Sequence, residues 1–165
     1  MVSSINGWIK CNTDGLCKPS GQAACGGVFR NHRGFVCGAF VQKLGVATAY
    51  YAEFYAVLLA IELAWERGWC KLWLEMDSAI TLGNFFNAEY RPHWKIRRRW
   101  EKCHRLLLTM DIRTSHIYRE ANVPADIMSN IALNFDDFHW WDSVFPAIGV
   151  AVTEDMIGRT KYRFC

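Results

Sequence analysis

Four acidic residues sit where a carboxylate can serve structure or chemistry: Asp14 in NTDG, Glu53 in AEFYAVLLAIELA, Asp77 at the end of KLWLEMD, and Asp126 in NVPAD. Each has an ordinary explanation taken alone. Asp14 before Gly15 suits a turn, Glu53 a first helical turn, Asp77 a cap for a helix starting near Ser78, and Asp126 the positive end of a helix dipole. Chemistry begins if they converge. Carboxylates without a His or Cys cluster are hard oxygen donors, suited to Mg2+, which keeps several waters and shares a few carboxylates with a substrate phosphate. Converging carboxylates raise one another's pKa, and bound cations remove that penalty.

The elements that would position them follow from pattern. GWIKCNTDG, AACGGVFRN and GFVCGAFVQKLG read as strands, broken by the turn-forming KPSGQ and NHRG, and suggest a three-stranded antiparallel meander. From Tyr51, YAEFYAVLLAIELAWERG places Phe54, Val57, Leu58, Ile61 and Trp65 on one helical face, with Gly68 to end the helix. KLWLEMD alternates Leu72, Leu74 and Met76 against Trp73, Glu75 and Asp77, so a strand delivers Asp77 to its carboxyl end. AITLGNFFN predicts a short helix. KIRRRWEKCHRLLLTM predicts a longer one, with Ile96, Trp100, Cys103, Leu107 and Met110 inward and Lys95, Arg98, Lys102 and Arg105 outward. RTSHIYRE is expected as a strand, followed by a helix with Asn122 as N-cap and with Pro124 and Asp126 in its first turn. The order β-β-β-α-β-α-α-β-α describes an α/β domain built on a mixed five-stranded sheet.

At 165 residues and 52% apolar composition the chain can bury one core, expected over residues 1–135. Residues 136–165 show no period beyond a short turn near Thr153 to Ile157 and read as an aromatic tail packed on that domain. Asp136, Asp137 and His139 are expected as exposed tail rather than a metal cluster. A net charge of +3 is too mild to announce nucleic-acid binding, so any basic footprint must come from clustering, as on the Lys95 to Arg105 face flanked by Arg97 and Arg99. The N-terminus lacks the features of a secretory signal and no apolar run approaches a membrane span, which points to a soluble intracellular monomer, cytoplasmic or nuclear. Seven cysteines, an odd number without CxxC or zinc spacing, are expected as reduced thiols, mostly core filler.

NTDG, AEFYAVLLAIELA, LEMDS and HIYREANVPAD, in that order and each on its own element, resemble the four motifs of the ribonuclease H family. The resemblance is closest to the plant type found at the C-terminus of non-LTR retroelement polyproteins and as free-standing host proteins. It extends through GGVFRNHRGFVCGAF, LAWERGWCKLWLEMDS and REANVPAD, and the ending WWDSVFPAI with KYRFC is similar as well. It implies a ribonuclease H-like fold, with three antiparallel strands, then two parallel ones, and helices on both faces. It also implies an endonuclease in which Asp14 bridges two Mg2+ ions, Glu53 and Asp77 complete one metal site, and Asp126 helps hold the second, with Mn2+ able to substitute. Two such ions roughly 3.5–4 Å apart activate the attacking water and stabilise the leaving oxygen. The products would carry 5'-phosphate and 3'-hydroxyl ends.

The same resemblance implies a duplex containing RNA as partner, with Thr48, Lys95, Arg98, Lys102 and Arg105 contacting phosphates. Trp94 suits stacking or packing, and Trp100, on the apolar stripe, packing. Hybrid-specific relatives carry asparagines between that threonine and the helix glutamate, where this chain has Ala49, Tyr50 and Tyr51. Double-stranded RNA, recognised through A-form shape and 2'-hydroxyls, is therefore a rival to the RNA–DNA hybrid, and an antiviral role would follow from it. His116 is expected as a packed strand histidine. The loop that presents a mobile histidine in bacterial and animal relatives is absent, leaving proton delivery or product release to Arg119, Glu120 or solvent. Two other classes stay open: a catalytically silent nucleic-acid-binding remnant, and an interaction domain that uses Trp140, Trp141 and Phe145.

Overall fold

The fold was analysed in a computed structural model, in which residues 7–143 are described. Strands β1 (Ile9–Cys17), β2 (Gln22–Arg30) and β3 (Val36–Val46) form the expected antiparallel meander. Helix α1 (Ala49–Glu66) crosses back so that β4 (Lys71–Met76) runs parallel to β1. Helix α2 (Ala79–Phe85) and helix α3 (Arg97–Leu107) precede β5 (Asp111–His116), which runs parallel to β4, and helix α4 (Val123–Ile131) follows. The mixed sheet and the helices on both of its faces are as expected.

Period-two alternation divides the core. Cys11, Cys25, Phe29, Phe40, Leu72, Leu74 and Met76 pack against α1, α2 and α3 on one face. Ala24, Val28, Ala39 and Val41 meet Met128 and Ala132 of the α4 side on the other. Helix α1 is buried on nearly every side from Phe54 to Ala64, between sheet and α3, although Trp65, expected on its inner face, is exposed.

Among the described residues the sheet has six strands rather than five, in the order β5-β4-β1-β2-β3 followed by a further edge strand. The extra strand, β6 (His139–Trp141), comes from the expected tail and pairs antiparallel with β3, Phe40 opposite Trp140. No alternation announces so short an edge strand. Its anchor is Trp140, whose ring lies 5.7 Å from that of Phe29 and under the Arg67 guanidinium at 3.5 Å. Gly38 admits the indole, since a Cβ there would fall on its six-membered ring. Trp140→Ala is expected to cost about 2–3 kcal/mol in urea denaturation, less than a fully buried Trp because the side chain is only half-buried. An unchanged midpoint would mean that β6 contributes nothing. Phe145, the expected turn near residues 153–157 and Cys165 lie outside the described residues.

Two further boundaries differ. β5 stops at His116, because its only partner β4 ends there, and Arg119–Ala121 forms a 3-10 turn where strand was expected. The helix expected from residue 95 begins as a separate 3-10 turn, Trp94–Ile96, so Lys95 lies outside α3. Of the six described thiols, all free, Cys11, Cys25 and Cys103 fill the core while Cys70 is exposed. Burial pushes the Cys103 thiol up to about 12 and that of Cys37 to about 11, which keeps both protonated. Among the described residues no helix is long and apolar enough to cross a membrane.

Candidate metal centre

Asp14 lies near the end of β1, Glu53 in the first turns of α1, and Asp77 directly after β4. Each offers a carboxylate oxygen, and these oxygens all lie within 4.8 Å of one another. The backbone makes this approach possible at Gly15, where a Cβ would fall on the backbone nitrogen of Glu53 and the carbonyl carbon of Ala52. β1 and the start of α1 are thus in backbone contact beside the two carboxylates.

Each carboxylate has a local holder. Ser129 Oγ, fully buried on α4, lies 2.6 Å from Asp14 Oδ2 and 2.9 Å from the Asp126 carbonyl. It has one proton, which goes to Asp14 when that group is ionised. Thr81 Oγ1 donates to Glu53 Oε2 at 3.3 Å. Arg119 Nε lies 3.3 Å from Asp77 Oδ2, with its own side chain largely in solvent. Ser78, not Asp77, caps α2 by accepting from Thr81 N, which leaves the Asp77 carboxylate to the cluster.

The electrostatics are those of crowded anions. Burial, with the charges of Asp77, Asp126 and Glu53 added, pushes Asp14 up to about 6 against a partly offsetting bond from Ser129. Burial and then Asp77 also raise Glu53, opposed by Ser78 and Thr81. Such a group of oxygens favours a divalent cation on charge and on donor chemistry.

Asp126 stands apart from the group of three. It lies in the first turn of α4 as expected, but its side chain is exposed, and its nearest polar partner is Asn130 Nδ2, 3.5 Å from Oδ1. Its charge still reaches Asp14. His116, expected to be packed, is exposed at the end of the edge strand β5, its Nε2 3.0 Å from the Asp77 carbonyl oxygen. Asp136, Asp137 and His139 are exposed as expected, and among the described residues they form no metal-binding group.

The basic residues take two positions. Arg98, Lys102 and Arg105 are exposed along α3, whereas Arg99 turns inward to Glu62 at 3.2 Å and stacks on Tyr55. Thr48 is the N-cap of α1, its Oγ1 accepting from Tyr51 N at 3.0 Å. With Lys95, Tyr51 and His93 it lines a groove of 190 Å³. Trp94 is exposed beside that groove, and Trp100 packs against the core as expected.

Pattern reasoning missed a buried polar network behind the carboxylates. Asn12 Nδ2 donates to Glu75 Oε2 at 3.1 Å and to Asn122 Oδ1 at 3.2 Å, while its Oδ1 accepts from Arg30 Nη2 at 2.6 Å. Asn122 Nδ2 donates to the Thr13 carbonyl at 2.9 Å, and Lys10 Nζ closes on Glu75 Oε1 at 2.8 Å. One signal was available: Asn12 and Glu75 each stand two residues before a strand-end carboxylate, on the same strand face.

The Reverse transcriptase-like family pattern matches residues 12–132. A protein of Arabidopsis thaliana named as a ribonuclease H protein is 34% identical over 165 residues, which cover 98% of this chain and 26% of the relative. The chain thus spans about a quarter of the length of that curated relative. RNase H1 of the archaeon Halobacterium salinarum superposes with a TM-score of 0.68 at 27% identity, covering 77% of this chain and 98% of that one. The N-terminal RNase H domain of a Mycobacterium tuberculosis protein superposes with a TM-score of 0.67 at 21% identity, covering 77% and 94%, and supports the fold alone. With three carboxylates gathered at the carboxyl ends of β1 and β4 and a matched segment spanning all of them, the chain belongs to the reverse transcriptase-like family and has the ribonuclease H fold.

Proposed function

We propose that this chain is a metal-dependent endoribonuclease that hydrolyses the RNA strand of an A-form-like duplex, the RNA–DNA hybrid first. The observation that carries this reading is the group of Asp14, Glu53 and Asp77 oxygens within 4.8 Å of one another. The names of the Arabidopsis and Halobacterium relatives point the same way. Asp14, Glu53 and Asp77 would hold divalent cations, Mg2+ by donor preference with Mn2+ as substitute, and Asp126 would add its charge from the Asp14 side. Cations bound there would ease ionisation of the attacking water and stabilise charge on the departing oxygen.

The protein's own groups supply position. Ser129 and Thr81 orient Asp14 and Glu53, and Arg119 holds Asp77 while keeping its guanidinium at the solvent mouth, where a phosphate would arrive. The α3 stripe and the Thr48–Lys95 groove offer backbone contacts. Replacing Arg98, Lys102 and Arg105 together by Ala is expected to raise KM for a duplex and to lower the steepness of its log–log salt dependence by about 3, with kcat unchanged. An unaltered salt dependence would assign that stripe to solvation alone.

Double-stranded RNA is the second substrate, favoured by one observation. Tyr50 Oη donates to Tyr90 Oη at 2.6 Å and accepts from Asn84 Nδ2 at 3.0 Å, so the residue in place of a groove-reading amide is committed inward. Matched hybrid, RNA and DNA duplexes incubated with Mg2+ or with EDTA test both readings. Mg2+-dependent cleavage of RNA strands to 5'-phosphate products is expected. Binding of every duplex with no cleavage in Mg2+ or Mn2+ would make the chain a silent binding domain.

A further inference from the structure

We infer that the buried Asn12–Asn122 pair is a positioning device, setting helix α4, and with it Asp126, against Asp14. The inference rests on the metal-dependent reading above and adds to it two residues that lie outside the group of three carboxylates.

Asp126 is the carboxylate with the least local support. Its side chain is exposed and, among the described residues, its hydrogen-bond partner is Asn130 of its own helix, at 3.5 Å, so its place relative to Asp14 is decided by where α4 sits. Helix α4 is attached to β1 through polar groups at two points. One is Ser129 on Asp14 itself, at 2.6 Å. The other is Asn122, at the N-cap position but making no capping bond with its side chain. Instead its amide donates to the Thr13 carbonyl and its oxygen accepts from Asn12, while its backbone carbonyl accepts from Asp126 N at 3.1 Å. Its two side-chain ends are therefore spent on the two residues before Asp14, and its backbone on Asp126.

Asn12 continues the link. It sits opposite Glu75 in the parallel β1–β4 register and donates to it, so the strand that ends in Asp77 is tied to the same point. Arg30 from β2 and Lys10 satisfy the remaining Asn12 and Glu75 oxygens. Asn12 and Asn122 are each 1% exposed. A buried pair of amides whose donors and acceptors meet partners from β1, β2 and β4 at once is a geometric lock, because sliding α4 or β4 against β1 leaves those amides unpaired in the core. The β1–β4–α4 junction is thereby held in one register, and that register sets the spacing of Asp14, Asp77 and Asp126.

Manganese binding by the purified chain, measured by calorimetry and by the electron paramagnetic resonance signal of free Mn2+, tests this apart from turnover. Asn122→Ala is expected to weaken Mn2+ binding roughly 10- to 100-fold and to raise the Mg2+ concentration for half-maximal cleavage, lowering kcat with KM for duplex unchanged. Trp140→Ala, destabilised at the β3–β6 edge with no hydrogen bond to Asn12 or Asn122, is the control and should bind Mn2+ as the wild type does. If Asn122→Ala does not fold, Asn122→Ser, which keeps a shorter donor, should show an intermediate loss. Wild-type Mn2+ affinity in a folded Asn122 variant would overturn the inference, as would an equal loss in Trp140→Ala. A wild-type chain that binds no Mn2+ would instead sink the metal-dependent reading.

Discussion

Asp14→Asn is expected to lower Mg2+-dependent cleavage at least about a thousandfold while making the metal-free protein more stable, two effects with one cause. Electrostatic stabilisation of developing charge commonly contributes effects of that size. Asp14 is central to the oxygen group, and its replacement removes a negative charge while preserving shape and the acceptor for Ser129. Without metal the same charge is a burden. Burial and three neighbouring carboxylates raise Asp14 to about 6, above its ordinary 3.8. A carboxyl raised on folding stabilises the fold while protonated, so its contribution is complete below about pH 4 and is lost as pH climbs through about 6. The difference is on the order of 3 kcal/mol. In EDTA at pH 7.5 the Asn variant should therefore have the higher urea midpoint. Its advantage should shrink towards pH 4, and Mg2+ should stabilise the wild type but not the variant. A variant that cleaves normally, or is less stable than the wild type in EDTA at pH 7.5, would contradict the assigned centre.

The second large effect is expected from a single methyl group. Gly15→Ala puts a Cβ onto the backbone of Ala52 and Glu53, where no side-chain rotation relieves the clash. Relief requires α1 to move away from β1, costing about 3 kcal/mol or more. The same movement separates Glu53 from Asp14, and a misplacement of about 1 Å at a reacting centre costs on the order of a hundredfold in rate. Stability and Mn2+ affinity should thus fall together, whereas Asp14→Asn raises metal-free stability and lowers affinity. A Gly15→Ala variant with wild-type denaturation midpoint and metal binding would show that the strand and helix do not need this approach. The two variants separate charge from spacing.

Much of this was written in local pattern. The alternation of KLWLEMD delivers Asp77 to a strand end, the apolar run after Tyr51 builds the buried α1, and Pro124 opens the helix that carries Asp126. Four acids in order, each on its own element, suffice to suggest the family and the centre. Strand and helix periods are short, spanning two to four residues, so they register directly in the chain.

Other features depended on partners far away in sequence. Asn12 meets Glu75 across 63 positions and Asn122 across 110, while Ser129 meets Asp14 across 115. No local period marks such pairs, and Asn122 in particular looked like an ordinary helix cap. Tertiary packing also decided that Asp126 stands outside the tight group, that Arg119 reaches the Asp77 carboxylate while His116 meets only its backbone carbonyl, and that three residues of the supposed tail close the sheet beside β3. Residue types and their spacing determined which acids this protein offers and on which elements. Only the folded backbone, through one glycine contact and one buried amide network, decided how near they come.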